Sequence, residues 1–267
     1  MKMKFYQFAF LLLCISGVAS AQQPYTQGKL LFEEDFSSEE SFTNNWQVQL
    51  FKKGSEKAGY YHVKNGKLEV LSESGCTVWL TKKLKGNVKI EYDVKVDTSG
   101  VSQLGKIMIS DVNCFWMASA PKGKSLFDSS YNGMFLNYHN MQAYYASLGG
   151  RFNTTTRSRR YPRDIDSKHV KHISLGYQDG KEKIKDAQEM HITLISYNGL
   201  VQYFVNNKLV YEFKPDTIVQ TEIDKVKGVE NVTYSLKKYP AYTKGYFGFR
   251  LTTSRHFYDN VKIYRLN

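Results

Sequence analysis

Val88-Lys89-Ile90-Glu91-Tyr92-Asp93-Val94-Lys95-Val96 alternates without a break. Val88, Ile90, Tyr92, Val94 and Val96 share one face, and Lys89, Glu91, Asp93 and Lys95 share the other. Successive side chains of a strand point to opposite sides, so this is an antiparallel strand with one face on a core and one in water. The same period recurs along the chain, and helical periodicity hardly appears. Val201–Val205 and Lys208–Phe213 flank Asn206-Asn207, two residues that tolerate positive φ and predict a tight hairpin. Working outward, further strands are predicted at Leu30–Glu33, Tyr60–Val63, Lys67–Leu71, Thr77–Leu80, Lys106–Ile109 and Phe115–Ala118. Others are predicted at Met134–Tyr138, Ala143–Ser147, His191–Ser196, Gly245–Leu251 and Phe257–Tyr264. Thr217–Lys238 mixes charges with isolated Val and Ile, which suits a long loop or a short helix.

The chain has 267 residues, with 20 Tyr, 16 Phe and only 5 Pro, a composition that fits an all-β antiparallel sandwich. Residues 1–21 are expected to be a secretory signal peptide. Lys2 and Lys4 precede the apolar run Phe5–Ile15, and Ala19-Ser20-Ala21 offers small residues for cleavage. Leu13 before Cys14 argues against a lipid anchor, and no later stretch approaches the ~20 apolar residues of a membrane span. Residues 22–267 show no linker, low-complexity run or internal repeat, so one secreted or periplasmic domain is expected. Cys76 and Cys114 sit in strand-like surroundings, CTVWL and NCFWM. They suit buried small hydrophobes or a single disulfide, and their spacing suggests no metal.

Several phrases resemble concanavalin-A-like jelly rolls. They are the opening LLFEEDFSSEESFTNNWQV (30–48), the pair YHVKNGKLEV (61–70) and GNVKIEYDVKV (86–96), the hairpin MHITLISYNGLVQYFVNNKLVYEF (190–213) and the closing GYFGFRLTTSRHFYDNVKIYRL (245–266). The middle segments DVNCFWMASAP (111–121) and YYASLGGRFNTTTRSRRY (144–161) resemble secreted domains related to polysaccharide lyases. The resemblance implies a jelly roll from a polysaccharide-degradation system. Such folds host lyases, hydrolases and plain lectins alike. It implies no required cofactor. Where such sandwiches hold a structural calcium, it lies near the chain ends, and here Glu34, Asp35 and Asp259 offer oxygens.

Charge is concentrated in RFNTTTRSRRYPRDIDSKHVKH, Arg151 to His172, which sets seven Lys/Arg against two Asp in 22 residues. Together with the upstream NYHNMQAYY (137–145), it makes a surface of Arg, Tyr and His suited to an acidic, hydroxyl-rich polymer. The expected partner is an acidic polysaccharide or oligosaccharide rather than nucleic acid, because the expected export and the jelly-roll resemblance both argue against a phosphate backbone.

The leading expectation is a polysaccharide lyase acting by β-elimination on a uronate polymer. Such chemistry needs a positive group on the carboxylate, a base for the neighbouring proton and an acid for the leaving oxygen. On an extended Asn153–Tyr161, the side chains of Thr155, Arg157, Arg159 and Tyr161 share one face. Arg157 and Arg159 are therefore the candidates for carboxylate neutralisation. Tyr138, His139, Tyr144 and Tyr161 are the candidate bases and acids. Asn113, Trp116, Tyr145, Arg151, Asn153, Arg160 and His256 are candidate substrate contacts, with Asp111 a lone acid near Asn113 and Trp116. His169 and His172 carry weaker claims, in a loop rich in Lys. The alternatives are a non-catalytic carbohydrate-binding module on the same surface, or a glycoside hydrolase. A hydrolase would need two carboxyl groups across the scissile bond. Glu91 and Asp93 share a face, but with Lys89 and Lys95 they fit a solvated outer sheet better.

Overall fold

The computed structural model describes residues 23–52, 54, 59–99, 107–176, 182–223 and 226–267. The expected signal peptide and Lys106 lie outside the described residues.

The period-two pattern builds two large antiparallel sheets, beside a two-stranded one of Asp164–Ile165 with Lys168–His169. The first runs, in spatial order, Lys208–Phe213, Leu200–Val205, Glu189–Tyr197, Val88–Val96, Ser254–Leu266, Lys67–Ser72 and Gly59–Lys64. Gln27–Glu34 pairs with Ser254–Leu266 as well. The second sheet runs Val226–Thr233, Ile218–Ile223, His172–Leu175, Thr155–Arg160, Gln142–Gly149, Val112–Ser119, Lys244–Leu251, Cys76–Leu80 and Trp46–Leu50. The Asn206-Asn207 turn has φ of 50° and 64°, and it joins two strands of the first sheet.

The sheets face each other across a core in which Ile90 and Tyr92 meet Cys114, Trp116 and Phe249. The Tyr92 and Phe249 rings lie 5.0 Å apart, edge to face. A second, smaller core covers the opposite face of the second sheet, where Trp79, Phe115, Tyr138, Tyr145 and Tyr161 pack together. Val112–Ala118 is therefore buried on both faces. No helix among the described residues is long and apolar enough to cross a membrane.

Some expectations are corrected. Phe135–Tyr138 is a 3-10 turn rather than part of a strand. Local bonds replace ladder bonds there: Asn132 Oδ1 accepts from the Met134 amide at 3.1 Å and from Asn137 Nδ2 at 3.0 Å. The Tyr138 hydroxyl accepts from the Gly133 amide at 2.7 Å. Residues 107–109 are not in a strand. Thr217–Lys238 holds the hairpin Ile218–Ile223 with Val226–Thr233 instead of a long loop or helix.

Cys76 and Cys114 are both free and buried. They pair with Leu251 and Phe249 from opposite sides of the Lys244–Leu251 strand. Two strand spacings, roughly 9.6 Å, exceed the reach of a disulfide. Glu34 turns back to the Phe36 amide and the Ser41 hydroxyl, while Asp35 accepts from the Ser37 amide and Asp259 pairs with Lys67. Glu91 pairs with Lys89, and Asp93 with His191, on the outer face of the first sheet.

Candidate functional site

Register decides which side chains meet on the outer face of the second sheet. Arg157 lies opposite Ser147, and Arg159 opposite Tyr145. Ser147 and Tyr145 lie opposite Asn113 and Phe115 on the next strand. Arg250 lies opposite Asn113 on one side and Thr77 on the other. Beyond Arg159 come Ser174 and, one pair along, His172 opposite Glu222. Directly opposed residues point the same way, so seven neighbouring strands contribute to one polar floor.

Two adjoining cavities of about 360 and 230 Å³ open on this floor and share Asp111, Phe135, Tyr145 and Arg151. Asn113, Phe152, Arg250 and Thr252 are among the other residues lining the larger, and Ser147, Arg157, Arg159 and Arg163 among those lining the smaller. Five arginines therefore line one groove, and Asp111 is the one carboxylate among the described lining residues. Arg157, Arg159, Arg163 and Arg250 are each at most 5% exposed. Cations this deeply buried are costly unless paired, so their partners matter.

Arg159 Nε donates to Ser174 Oγ at 3.4 Å, and its Nη2 lies 3.8 Å from Glu222 Oε1. His172 Nε2 is 3.5 Å from the same oxygen. Burial would raise the Glu222 carboxyl, but His172 and Arg159 outweigh it and hold the pKa below the usual value. Arg163 Nη1 lies 3.3 Å from His139 Nε2, whose Nδ1 lies 3.2 Å from Asp164 Oδ2. Burial, reinforced by Arg163, brings His139 down to about 3. The imidazole is thus neutral, with its proton on Nδ1 toward Asp164 and Nε2 accepting from Arg163. Arg250 Nη1 donates to Gly133 O at 2.5 Å, and the guanidinium lies 5.2 Å from the Phe135 ring.

Burial, then the repulsion of Arg159, lowers Arg157 to about 10. Burial raises the Asp111 carboxyl despite Arg250 and Arg157. Asp111 accepts from the Thr252 hydroxyl and, at 3.4 Å, from Asn113 Nδ2. Asn113 Oδ1 is buried with no hydrogen-bond partner among the described residues. Burial also pushes the Tyr145 phenol well above its ordinary value, with Arg159 opposing. The floor offers buried cations, one carboxyl group with raised proton affinity, a phenol and an open amide oxygen.

Of the residues expected from sequence, Arg157, Arg159, Tyr145, Arg151, Asn113 and Asp111 line this groove. The others do not. Tyr144 points into the inter-sheet core, where its hydroxyl accepts from the Tyr242 amide at 3.0 Å, so it cannot meet a ligand on the outer face. Trp116 is buried in the same core. Arg160 also points away, 4.1 Å from the Tyr242 ring and donating to Pro240 O at 2.8 Å. Tyr138 is fully buried beneath the groove and donates to Gln49 Oε1 at 2.7 Å. Tyr161 is fully buried too, edge-on to Phe115. Asn153 clamps Ile184 by two bonds. His256 is buried between the Tyr258 hydroxyl at 2.8 Å and Ser110 O at 3.0 Å, and it supports the groove from behind. His139 does not line the groove and meets it through Arg163 and the Phe135 ring, 5.0 Å away. His169 pairs with Asp164 on that outer side.

Sequence reasoning missed Arg163, Arg250, Phe135, Ser147 and Phe152. Arg250 had a signal: in Tyr246-Phe247-Gly248-Phe249-Arg250-Leu251 it falls opposite the apolar set. Arg163 lay inside the basic stretch but past Pro162, where strand alternation no longer applies.

A family described as "Domain of unknown function (DUF6250)" matches residues 70–223. No curated protein matches the chain. Among solved structures, a Bacillus subtilis protein of unknown function with a galectin-like fold is 15% identical, with a TM-score of 0.62 over 91% of this chain and 98% of that one. An endo-β-1,3-glucanase from Pyrococcus furiosus is 11% identical, with a TM-score of 0.53 over 90% and 95%. A laminarinase from Flavobacterium sp. UMI-01 is 15% identical, with a TM-score of 0.52 over 89% and 100%. At these identities the likeness is one of fold: a galectin-like, jelly-roll sandwich.

Proposed function

The chain belongs to the family described as "Domain of unknown function (DUF6250)", and on that footing we propose that it binds an acidic polysaccharide in the arginine-lined groove and cleaves it by β-elimination. The observation that carries this is the lining itself: five arginines to one carboxylate among the described lining residues, three of the arginines on strands and four of them buried. A buried guanidinium fork favours a planar carboxylate, which it meets with two parallel hydrogen bonds. Export by the segment 1–21 belongs to the same proposal.

The lining supports each requirement of elimination. Arg157 and Arg159 neutralise the uronate carboxylate, which acidifies the proton on the adjacent carbon. Asp111, with its raised proton affinity, takes that proton. Tyr145, which keeps its hydroxyl proton, gives it to the departing glycosidic oxygen. The carbon–oxygen bond breaks as a carbon–carbon double bond forms beside the carboxylate. Hydrolysis fits less well. It needs two carboxyl groups some 5–9.5 Å apart, and Asp111 stands alone among the described lining residues.

A second reading, binding without cleavage, is favoured by the hydrogen bonds that Asp111 already accepts from Thr252 and Asn113. Ultraviolet absorbance during incubation with a panel of uronate polysaccharides separates the two. Elimination creates a chromophore that disappears in Asp111→Asn and Arg157→Ala. Binding on an affinity gel with no absorbance change would establish the lectin instead.

A further inference from the structure

Gly149, Arg151, Phe152 and Asn153 have φ of 69°, 50°, 60° and 62°. Arg151 and Phe152 have ψ of 59° and 48°, so they sit fully in the left-handed region. Glycine adopts that conformation without penalty. Asn tolerates it too, but for Arg151 and Phe152 it crowds Cβ against the backbone, and two such bulky residues in succession are rare. The turn is held from several sides. Asn153 Nδ2 donates to Ile184 O at 2.8 Å, and Asn153 Oδ1 accepts from the Ile184 amide at 2.9 Å. The Thr154 amide donates to Gly150 O at 3.0 Å, and its hydroxyl to Arg151 O at 2.6 Å. Strain kept in place by such clamps is found where a side chain must be aimed.

What the turn aims is Phe152. The residue is 67% exposed, it forms a wall of the larger cavity beside Arg151, and its ring stacks on no other ring among the described residues. Burying a phenylalanine on folding is favourable, so backbone strain spent on exposing one calls for a ligand. A pyranose has an apolar face of C–H groups that lies flat on an aromatic ring, while its charged substituent stays at the edge.

We propose that Phe152 and Arg151 form a second saccharide subsite, in which the ring of a neighbouring sugar stacks on Phe152 and its acidic group pairs with Arg151. The inference rests on the acidic-polysaccharide reading and deepens it: the groove takes an oligosaccharide of two or more residues, not a single uronate.

Titration calorimetry with a uronate monosaccharide and a tetrasaccharide of the same sugar tests this on the wild type, Phe152→Ala, Phe152→Gly and Phe152→Trp. The alanine and glycine variants should bind the tetrasaccharide roughly tenfold more weakly, Phe152→Trp should hold its affinity, and the monosaccharide should bind all four alike. Phe152→Gly, freed of the left-handed penalty, should also melt at a higher temperature than the wild type, which a residue placed for stability could not do. Unchanged tetrasaccharide binding by Phe152→Ala, or equal weakening at both ligand lengths, overturns the subsite. Failure of the wild type to bind any uronate oligosaccharide instead overturns the underlying reading, and the subsite with it.

Discussion

The Arg159 guanidinium lies 5.6 Å from the centre of the Tyr145 ring, the residue directly opposite it on the neighbouring strand. Cation and phenol are thus a cross-strand pair whose geometry is set by backbone register. Nothing has to close over them to bring them together.

The two central arginines should part company when removed. Arg159→Ala leaves Glu222, itself 6% exposed, beside His172 without its guanidinium. A stability loss of about 3 kcal/mol is expected in urea unfolding. Arg157→Ala should keep more of the stability, because burial and Arg159 both oppose its charge. It should still abolish uronate binding. Equal loss of stability in both variants would count against Arg157 as a ligand residue.

Acid should destabilise the fold through two histidines. Burial brings His139 to about 3 and His256 to about 4. In the unfolded chain a histidine titrates near 6.5. Between those values the unfolded state binds more protons, so stability is complete above about pH 6.5 and is lost as pH falls toward the folded values. At about pH 5 each contributes a loss of about 2 kcal/mol. Guanidinium unfolding at two pH values checks this, and His139→Gln and His256→Gln should each flatten the dependence.

The thiols should be silent in the native protein. Burial pushes Cys76 and Cys114 up to about 12, and the thiolate is the reactive form. Labelling at neutral pH should modify neither until denaturant is added, as mass spectrometry would show. Labelling at the native unfolding midpoint, and not before, is the expected pattern.

Gly149→Ala should damage both fold and site. Gly149 has φ of 69°, and an added Cβ would lie 2.4 Å from Ile184 Cδ1. A loss of about 2 kcal/mol is expected from thermal unfolding, together with weaker oligosaccharide binding, because the turn carrying Phe152 loses its entry. Binding that survives intact would show that the turn is independent of Gly149.

Sheet structure was legible because alternation reports burial directly. Val88–Val96 and the Asn206-Asn207 hairpin needed nothing else. Arg157 and Arg159 were legible as a pair for the same reason. Faces were harder. Tyr144 and Tyr145 are adjacent on one strand with both sides buried, so composition does not say which side holds the inter-sheet core. Tyr144 went to that core and Tyr145 to the groove. Phe135–Tyr138 alternates well enough for a strand, yet Asn132 and Gly133 turn it into a 3-10 helix by bonds local to the loop. Arg250 meets Asn113 only through strand pairing across 137 residues of chain, which no local pattern contains. Phe152 had no signal at all, since its position depends on a backbone conformation its side chain disfavours.

The crowding of guanidiniums ties this protein to the ions around it. Burial, and then the neighbouring Arg159, loosen the hold of Arg157 on its proton. Glu222 and Asp111 supply part of the counter-charge, and a small anion entering the groove would supply more. Phosphate or sulfate in a purification buffer would therefore act as a weak surrogate ligand. It would stabilise the fold and compete with the proposed acidic ligand, so affinities measured in such buffers would be understated.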